Sequence, residues 1–179
     1  MMNIFKSKTE PFPNCIPMEN TAEDTMLPSS SIDFIFCGNS YHWFDRDKVI
    51  LEFKRIIKQN DDKNVVIATL SSCGGDGAGE LFEIIERFMQ PVKDRLQNHS
   101  SPFREDSFFI KEFNYVVYQD LNETLNGMLS GSFSPSPQDN CFDEYCRFIK
   151  AHFNKYSQNG KLKTDFRLSC SIGNVNDLV

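Results

Sequence analysis

Residues 31–70, SIDFIFCGNSYHWFDRDKVILEFKRIIKQNDDKNVVIATL, decide the fold of this chain. Ser31–Gly38 carries Ile32, Phe34, Ile35, Phe36 and Cys37, so apolar side chains project to both sides of an extended segment. A strand of that composition belongs in a sheet covered on both faces. Gly38–Phe44 interrupts the run as a loop, and Asp45 offers a side-chain cap for a helix through about Lys58. Val49, Ile50, Phe53, Ile56 and Ile57 recur at helical spacing, which buries one stripe of that helix. Lys54, Arg55 and Lys58 complement the dipole at its end. Asn60–Lys63 reads as a turn, and Lys63–Leu70 as a second buried strand. Strand, helix, strand in this order predicts a right-handed parallel crossover, hence an α/β sheet.

The flanking sequence extends this unit. Met1–Lys8 reads as the tail of a helix ended by Pro11 and Pro13, Asn14–Glu19 as a short extended segment, and Asn20–Ser31 as a loop. Ser71–Gly79 reads as a glycine-rich loop, and Glu80–Asn98 as a long helix kinked or broken at Pro91. Phe108–Asp120 predicts a strand, Leu121–Gly131 a short helix and Ser132–Asp139 a loop. In Phe142–Tyr156, Phe142, Tyr145, Cys146, Ile149, Phe153 and Tyr156 share one side of a helix. Asn159–Gly160 turns the chain into a last strand, Lys161–Gly173. A single domain over residues 1–179 is expected.

Composition narrows the function classes. A net charge of −6 argues against a broad nucleic-acid face, which needs clustered Lys and Arg. No apolar run approaches the length of a membrane span, and Met1–Glu10 lacks the apolar core of a secretory signal. The six cysteines, Cys15, Cys37, Cys73, Cys141, Cys146 and Cys170, form no Cys-x-x-Cys pair and no zinc-type cluster with His42, His99 or His152. Reduced, buried thiols in a cytoplasmic protein without a metal site are expected.

Residues 21–70 also resemble the middle of class I methyltransferases of the ubiquinone-biosynthesis type. The resemblance is carried by Thr21-Ala22-Glu23, Leu27-Pro28, Ser31-Ile32-Asp33, Tyr41-His42-Trp43-Phe44 and Glu52-Phe53-Lys54-Arg55-Ile56-Ile57-Lys58, in that order and spacing. Leu129–Pro135 and Asn159-Gly160-Lys161 resemble later parts of that family. The resemblance implies a Rossmann-like seven-stranded sheet with one reversed strand near its end. It also implies S-adenosylmethionine as cofactor and a small-molecule methyl acceptor, with neither nucleic acid nor membrane as partner.

The resemblance assigns roles as well. Cys15–Glu19 would be the third strand, and Thr21, Ala22 and Glu23 would lie beside the adenine, with Thr21 standing where an Asp is common. Cys37, Gly38 and Asn39 would pass the methionine end. Tyr41, His42 and Trp43 would face the acceptor, since ligands of open parallel sheets sit beyond the carboxyl ends of the strands. His42, and with it Tyr41, are the catalytic candidates, because histidine suits a general base near neutral pH; the plainer reading packs His42 on Trp43. Trp43 either stacks on substrate or anchors the next helix. The Phe108–Phe113 cluster and Tyr145–Tyr156 either roof an acceptor pocket or form core. Methyl transfer is a direct displacement, so the protein mainly aligns the acceptor and excludes water.

The family begins with a strand, a Gly-x-Gly-x-Gly loop, a helix and a second strand, and none of these precedes Met1. The expectation is therefore an N-terminally truncated domain holding strands three to seven of seven, binding cofactor only if the N-terminal part is supplied. The missing first strand would pair with Ser31–Gly38 and the missing second would hold Cys15–Glu19, so Cys15–Glu19 would have no lateral neighbour and an apolar strand edge would lie open to self-association. Two alternatives stand beside this reading: a remnant or interaction module that binds no cofactor, and a nucleotide-binding α/β enzyme. The second would use Gly75-Asp76-Gly77-Ala78-Gly79, a Gly-x-Gly-x-Gly run between strand and helix.

Overall fold

The computed structural model describes residues 2–59, 62, 64–88, 101–131 and 134–179. Four strands form one sheet in the order β1-β2-β4-β3. They are β1 (Ile35–Gly38), β2 (Val65–Gly75), β3 (Phe109–Gln119) and β4 (Leu162–Gly173). The helices are α1 (Met2–Thr9), α2 (Arg46–Ile56), α3 (Ala78–Phe88), α4 (Leu121–Leu129) and α5 (Phe142–Tyr156).

The predicted crossover is present. β1 and β2 pair in parallel, Ile35 beside Val65 through Gly38 beside Ala68, and α2 connects them. β4 runs antiparallel to both β2 and β3, so it is the one reversed strand. Asp45 caps α2 by accepting the amide of Lys48.

Three elements differ from the sequence reading. Cys15–Glu19 is not a strand. It holds Pro17, which cannot donate to a ladder, and Ile16 points into solvent. Five family strands were expected, and four are seen among the described residues. β1 begins at Ile35 rather than Ser31 because the preceding segment pairs with a helix end instead. The amides of Ser30, Ser31 and Ile32 donate to the carbonyls of Arg55 and Ile56 at the end of α2, and Lys58 N donates to Ile32 O. Those last helical carbonyls have no partners of their own within the helix. Finally, β2 continues through the expected Ser71–Gly75 loop, since β4 extends its ladder to Thr164, with a bulge at Ser72–Gly74.

The main core lies between α2 and one face of β1 and β2. Val49, Phe53, Ile56 and Ile57 pack with Ile35, Cys37, Val65 and Ile67, and Phe103, Val175 and Leu178 belong to the same cluster. A second core joins Ile84, Tyr145 and Ile149 of α3 and α5 to Leu125 and Met128 of α4. Tyr145 and Phe153 are thus interior, whereas Phe109 and Phe113 face outward. The expectation of cover on both faces fails at β1: Phe36 is 61% exposed while its neighbour Cys37 is buried. All six cysteines are free thiols, but only Cys37 and Cys170 are buried, which corrects the expectation for the rest. The expected kink at Pro91, part of the Asn60–Lys63 turn and Ser132–Phe133 lie outside the described residues.

Candidate functional site at the carboxyl edge of the parallel pair

α2 runs back along β1, so its start, the end of β1 and the loop between them share one edge of the sheet. Gly38 ends β1 and Asn39 turns the chain with φ 51°, a left-handed conformation that Asn tolerates better than most residues. Asn39 also fastens the two strand tips. Its N–H donates to Ala68 O at 2.9 Å, and its Oδ1 accepts the Leu70 amide at 2.8 Å. The Cys37 side chain is turned into the core, where burial pushes its thiol up to about 11. It is unreactive there, so only its backbone is available to a ligand.

A 3-10 turn, Tyr41–Trp43, follows. Tyr41 is buried, with its ring edge-on to Phe44 at 6.1 Å and the Arg46 guanidinium 5.5 Å from the ring centre. Its phenol oxygen is buried with no hydrogen-bond partner among the described residues, and burial raises its pKa. Tyr41 is therefore a proton donor at neutral pH, not a base. His42 is exposed and leans on Trp43, with ring centres 5.1 Å apart; Trp43 is 42% exposed. The plainer reading, His42 packed on Trp43, is met by this contact.

The turn at residues 21–25 is stitched to α2. Thr21 Oγ1 accepts the Asp24 amide at 3.2 Å, Ala22 packs on the main core, and Glu23 Oε1 accepts the Asp45 amide at 3.0 Å. Glu52, buried in the middle of α2, binds both the amide and the hydroxyl of Thr25 (2.9 and 2.5 Å). Two Arg55 nitrogens grip its carboxylate at 2.7 Å, and Arg55 reaches on to Leu27 O at 2.8 Å. The guanidinium, together with the Thr25 donors, outweighs burial and holds the Glu52 carboxyl down at about 2. Sequence reasoning placed Glu52 and Arg55 in the motif that carries the resemblance and gave Arg55 a part at the helix dipole, but did not pair them. The available signal was their helical spacing of three, which places acid and base on one face.

The Gly75–Gly79 run is largely explained by packing. Gly75 (φ 118°) and Gly77 (φ 70°) both lie in the left-handed region. A Cβ on Gly75 would stand 2.5 Å from Lys163 O, and one on Gly77 2.4 Å from the Tyr156 ring. Gly77 O is bonded to His152 Nε2 at 3.0 Å. Among the described residues no cluster suits a metal ion, and no helix is long and apolar enough to cross a membrane.

The order β1-β2-β4-β3 with β4 reversed, and loops gathered at the carboxyl edge, can be set beside known proteins. Residues 1–61 match a family described as a methyltransferase domain. Uncharacterized methyltransferases of Mycobacterium tuberculosis and Mycobacterium bovis are 31% identical over 84 residues, 47% of this chain and 34% of theirs. An uncharacterized methyltransferase of Schizosaccharomyces pombe is 32% identical over 60 residues, 34% of this chain and 23% of its own length. The chain thus spans about a third or less of the curated relatives it matches. A solved structure from Anaeromyxobacter dehalogenans, designated a type II methyltransferase, shares the fold. Its TM-score is 0.53 at 18% identity, over 91% of this chain and 73% of that one.

Over its first 61 residues the chain resembles a methyltransferase domain, and its fold resembles that of a solved methyltransferase.

The cofactor that this resemblance implies is S-adenosylmethionine. The residues at the carboxyl edge fit its rim. Gly38 ends β1 with the Phe36 ring close by, Tyr41 has a buried phenol without a hydrogen-bond partner among the described residues, and Glu23 accepts the Asp45 amide. The glycine run begins with the last residue of β2, five residues past Leu70 where Asn39 fastens the strand tips, and is engaged with β4 and α5.

Proposed function

We propose that this chain takes part in methyl transfer from S-adenosylmethionine to a small-molecule acceptor at the carboxyl edge of β1 and β2. One observation carries the reading: three segments assigned to the ligand flank the connection from β1 to α2. They are Thr21–Glu23, Cys37–Asn39 and Tyr41–Trp43. In this reading the turn Thr21–Glu23 borders the adenine, and the backbone of Cys37–Asn39 borders the methionine end. S-adenosylmethionine, when bound, supplies an electrophilic methyl group. Trp43 offers an exposed ring to an acceptor, His42 beside it is placed to take the acceptor's proton, and the Tyr41 phenol donates a hydrogen bond. Water exclusion falls to Phe44 and Trp43.

Titration calorimetry with S-adenosylmethionine is the test. Saturable heat that is lost in Asn39→Ala supports the assignment, because Asn39 fixes the strand tips. No heat at millimolar ligand sinks it and leaves the second reading, a domain of this fold that binds no cofactor. That second reading draws on the open edge of β1; the Gly75–Gly79 run belongs to the nucleotide-binding alternative, and two of its glycines are explained by packing on neighbouring elements. We further propose that the unpaired edge of β1, with Phe34 and Phe36 exposed beside it, mediates self-association.

A further inference from the structure

α2 and α4 begin in different ways, and the difference assigns a role to Glu23. A helix start leaves amides without partners, and a capping box satisfies two of them. The N-cap side chain takes the amide three residues on, and the acid at that third position reaches back to the N-cap amide. α4 does this within itself. Asp120 accepts the Glu123 amide at 2.9 Å, and Glu123 accepts the Asp120 amide at 2.8 Å. α2 has only half the box. Asp45 accepts the Lys48 amide at 3.3 Å, but Lys48 stands where the acid should be and cannot accept. The missing acceptor comes from 22 residues away: Glu23 Oε1 takes the Asp45 amide at 3.0 Å.

We infer that Glu23 is a positioning residue that completes the capping box of α2 from the neighbouring turn, and so holds the Thr21–Glu23 turn in register with the Tyr41–Trp43 loop. The inference rests on the proposed ligand edge for its functional meaning, but the clasp itself does not. Residues 21–24 and the start of α2 then move as one piece. Any ligand bordered by both segments meets a pre-set gap rather than two independent loops. Lys48 completes the arrangement, bridging Asp45 Oδ2 at 2.8 Å while leaving the Asp45 amide to Glu23. At Thr25 and Leu27 the Glu52–Arg55 pair clasps the other end of the same segment to the same helix.

The roles of acceptor and of charge are separable by substitution. Glu23→Gln keeps a carbonyl oxygen for the Asp45 amide, whereas Glu23→Ala removes it. Lys48→Glu combined with Glu23→Ala gives α2 a local box like that of α4, restoring the helix cap without the tether. Amide hydrogen exchange at Asp45 and at residues 21–24 reads the clasp, and calorimetry with S-adenosylmethionine reads its consequence. Glu23→Ala should speed exchange at Asp45 about tenfold, as loss of a charge-assisted bond implies, and Glu23→Gln by much less. The double variant should restore protection at Asp45 while residues 21–24 stay fast and cofactor affinity stays about tenfold down.

Equal exchange at Asp45 in the parent and Glu23→Ala overturns the clasp. Unreduced affinity in the double variant overturns its positioning role, as does a Glu23→Gln affinity loss matching that of Glu23→Ala. If the parent itself binds no S-adenosylmethionine, the proposed function fails while the exchange result still decides the clasp.

Discussion

The two faces of β1 meet different fates within four residues. Ile35 and Cys37 are sealed against α2, while Phe36 between them stands in solvent. The same division crosses the sheet, since Phe36 is aligned with Val66, then Ile172, then Phe109 on one face. On that face Phe109 and Phe113 are about half exposed, and among the described residues the small cluster of Val66, Ala68 and Cys170 has only Leu168 and Ile172 packed against it. The apolar pattern of a strand thus sets a demand for burial without naming what meets it. Where α2 answers, the face is a core; elsewhere it is an exposed apolar patch, the usual mark of an association surface.

The contrast can be broken most directly by paired truncations. Ile57→Ala, at a fully buried position on the covered side, should cost about 2–5 kcal/mol in denaturant unfolding. Phe36→Ala on the open side should stay within about 0.5 kcal/mol. Equal losses would show that Phe36 is packed in solution, and the distinction between faces would collapse.

The covered side also depends on its polar clasp. Glu52→Gln should lose about 1.5–3 kcal/mol, the range for hydrogen bonds to a charged group. The Glu52 carboxyl is held at about 2 in the folded chain against an ordinary 4.5. Its stabilisation is therefore complete above pH 4.5 and drains away as pH falls toward 2. Urea midpoints of the parent should drop through that window, and those of Glu52→Gln should drop less. A parallel fall in both proteins would remove Glu52 from the acid response.

The far end of β2 permits a finer comparison. Gly77→Ala should destabilise by about 1–3 kcal/mol, because its φ is left-handed and Tyr156 occupies the space. Gly79→Ala, which meets nothing within 4 Å, should instead stabilise α3 by about 0.5–1 kcal/mol. Thermal melts of the two variants separate a packing role from a ligand cradle. Ligand loss in Gly79→Ala with the fold intact would favour the cradle.

The smallest effect on stability, within about 0.5 kcal/mol, is expected for Phe36→Lys. Its readout is mass: if the β1 edge and its exposed ring drive self-association, light scattering should show a lower average mass than the parent at equal concentration. An unchanged mass removes this edge as the contact.

Legibility in the sequence followed the strength of each local signal. α5 spans the range read from its periodicity, because apolar side chains at helical spacing have one way to reach a common core. The parallel crossover was legible for a similar reason. Cys15–Glu19 misled because an extended, partly apolar stretch looks the same with or without a ladder partner. Ser71–Gly75 misled in the opposite sense: its glycines suggested a loop, yet β4 supplied the partner that made it strand. At the candidate site, the residue types and their order were legible, as was the Asp45 cap. The engagement of Glu23 with Asp45 and the grip of Glu52 on Thr25 were not, since each joins residues more than twenty apart.

The sequence by itself determined the β-α-β crossover, the helix stripes and the resemblance to a methyltransferase domain, because these depend on periodicity and on local residue order. Tertiary structure alone decided which face of each strand was covered, where β2 ended, and which carboxylates were tied up in holding loops to α2. Those outcomes depend on what lies across a ladder or beyond a helix end, and hydrogen-bonding partners distant in sequence leave no periodic trace in it.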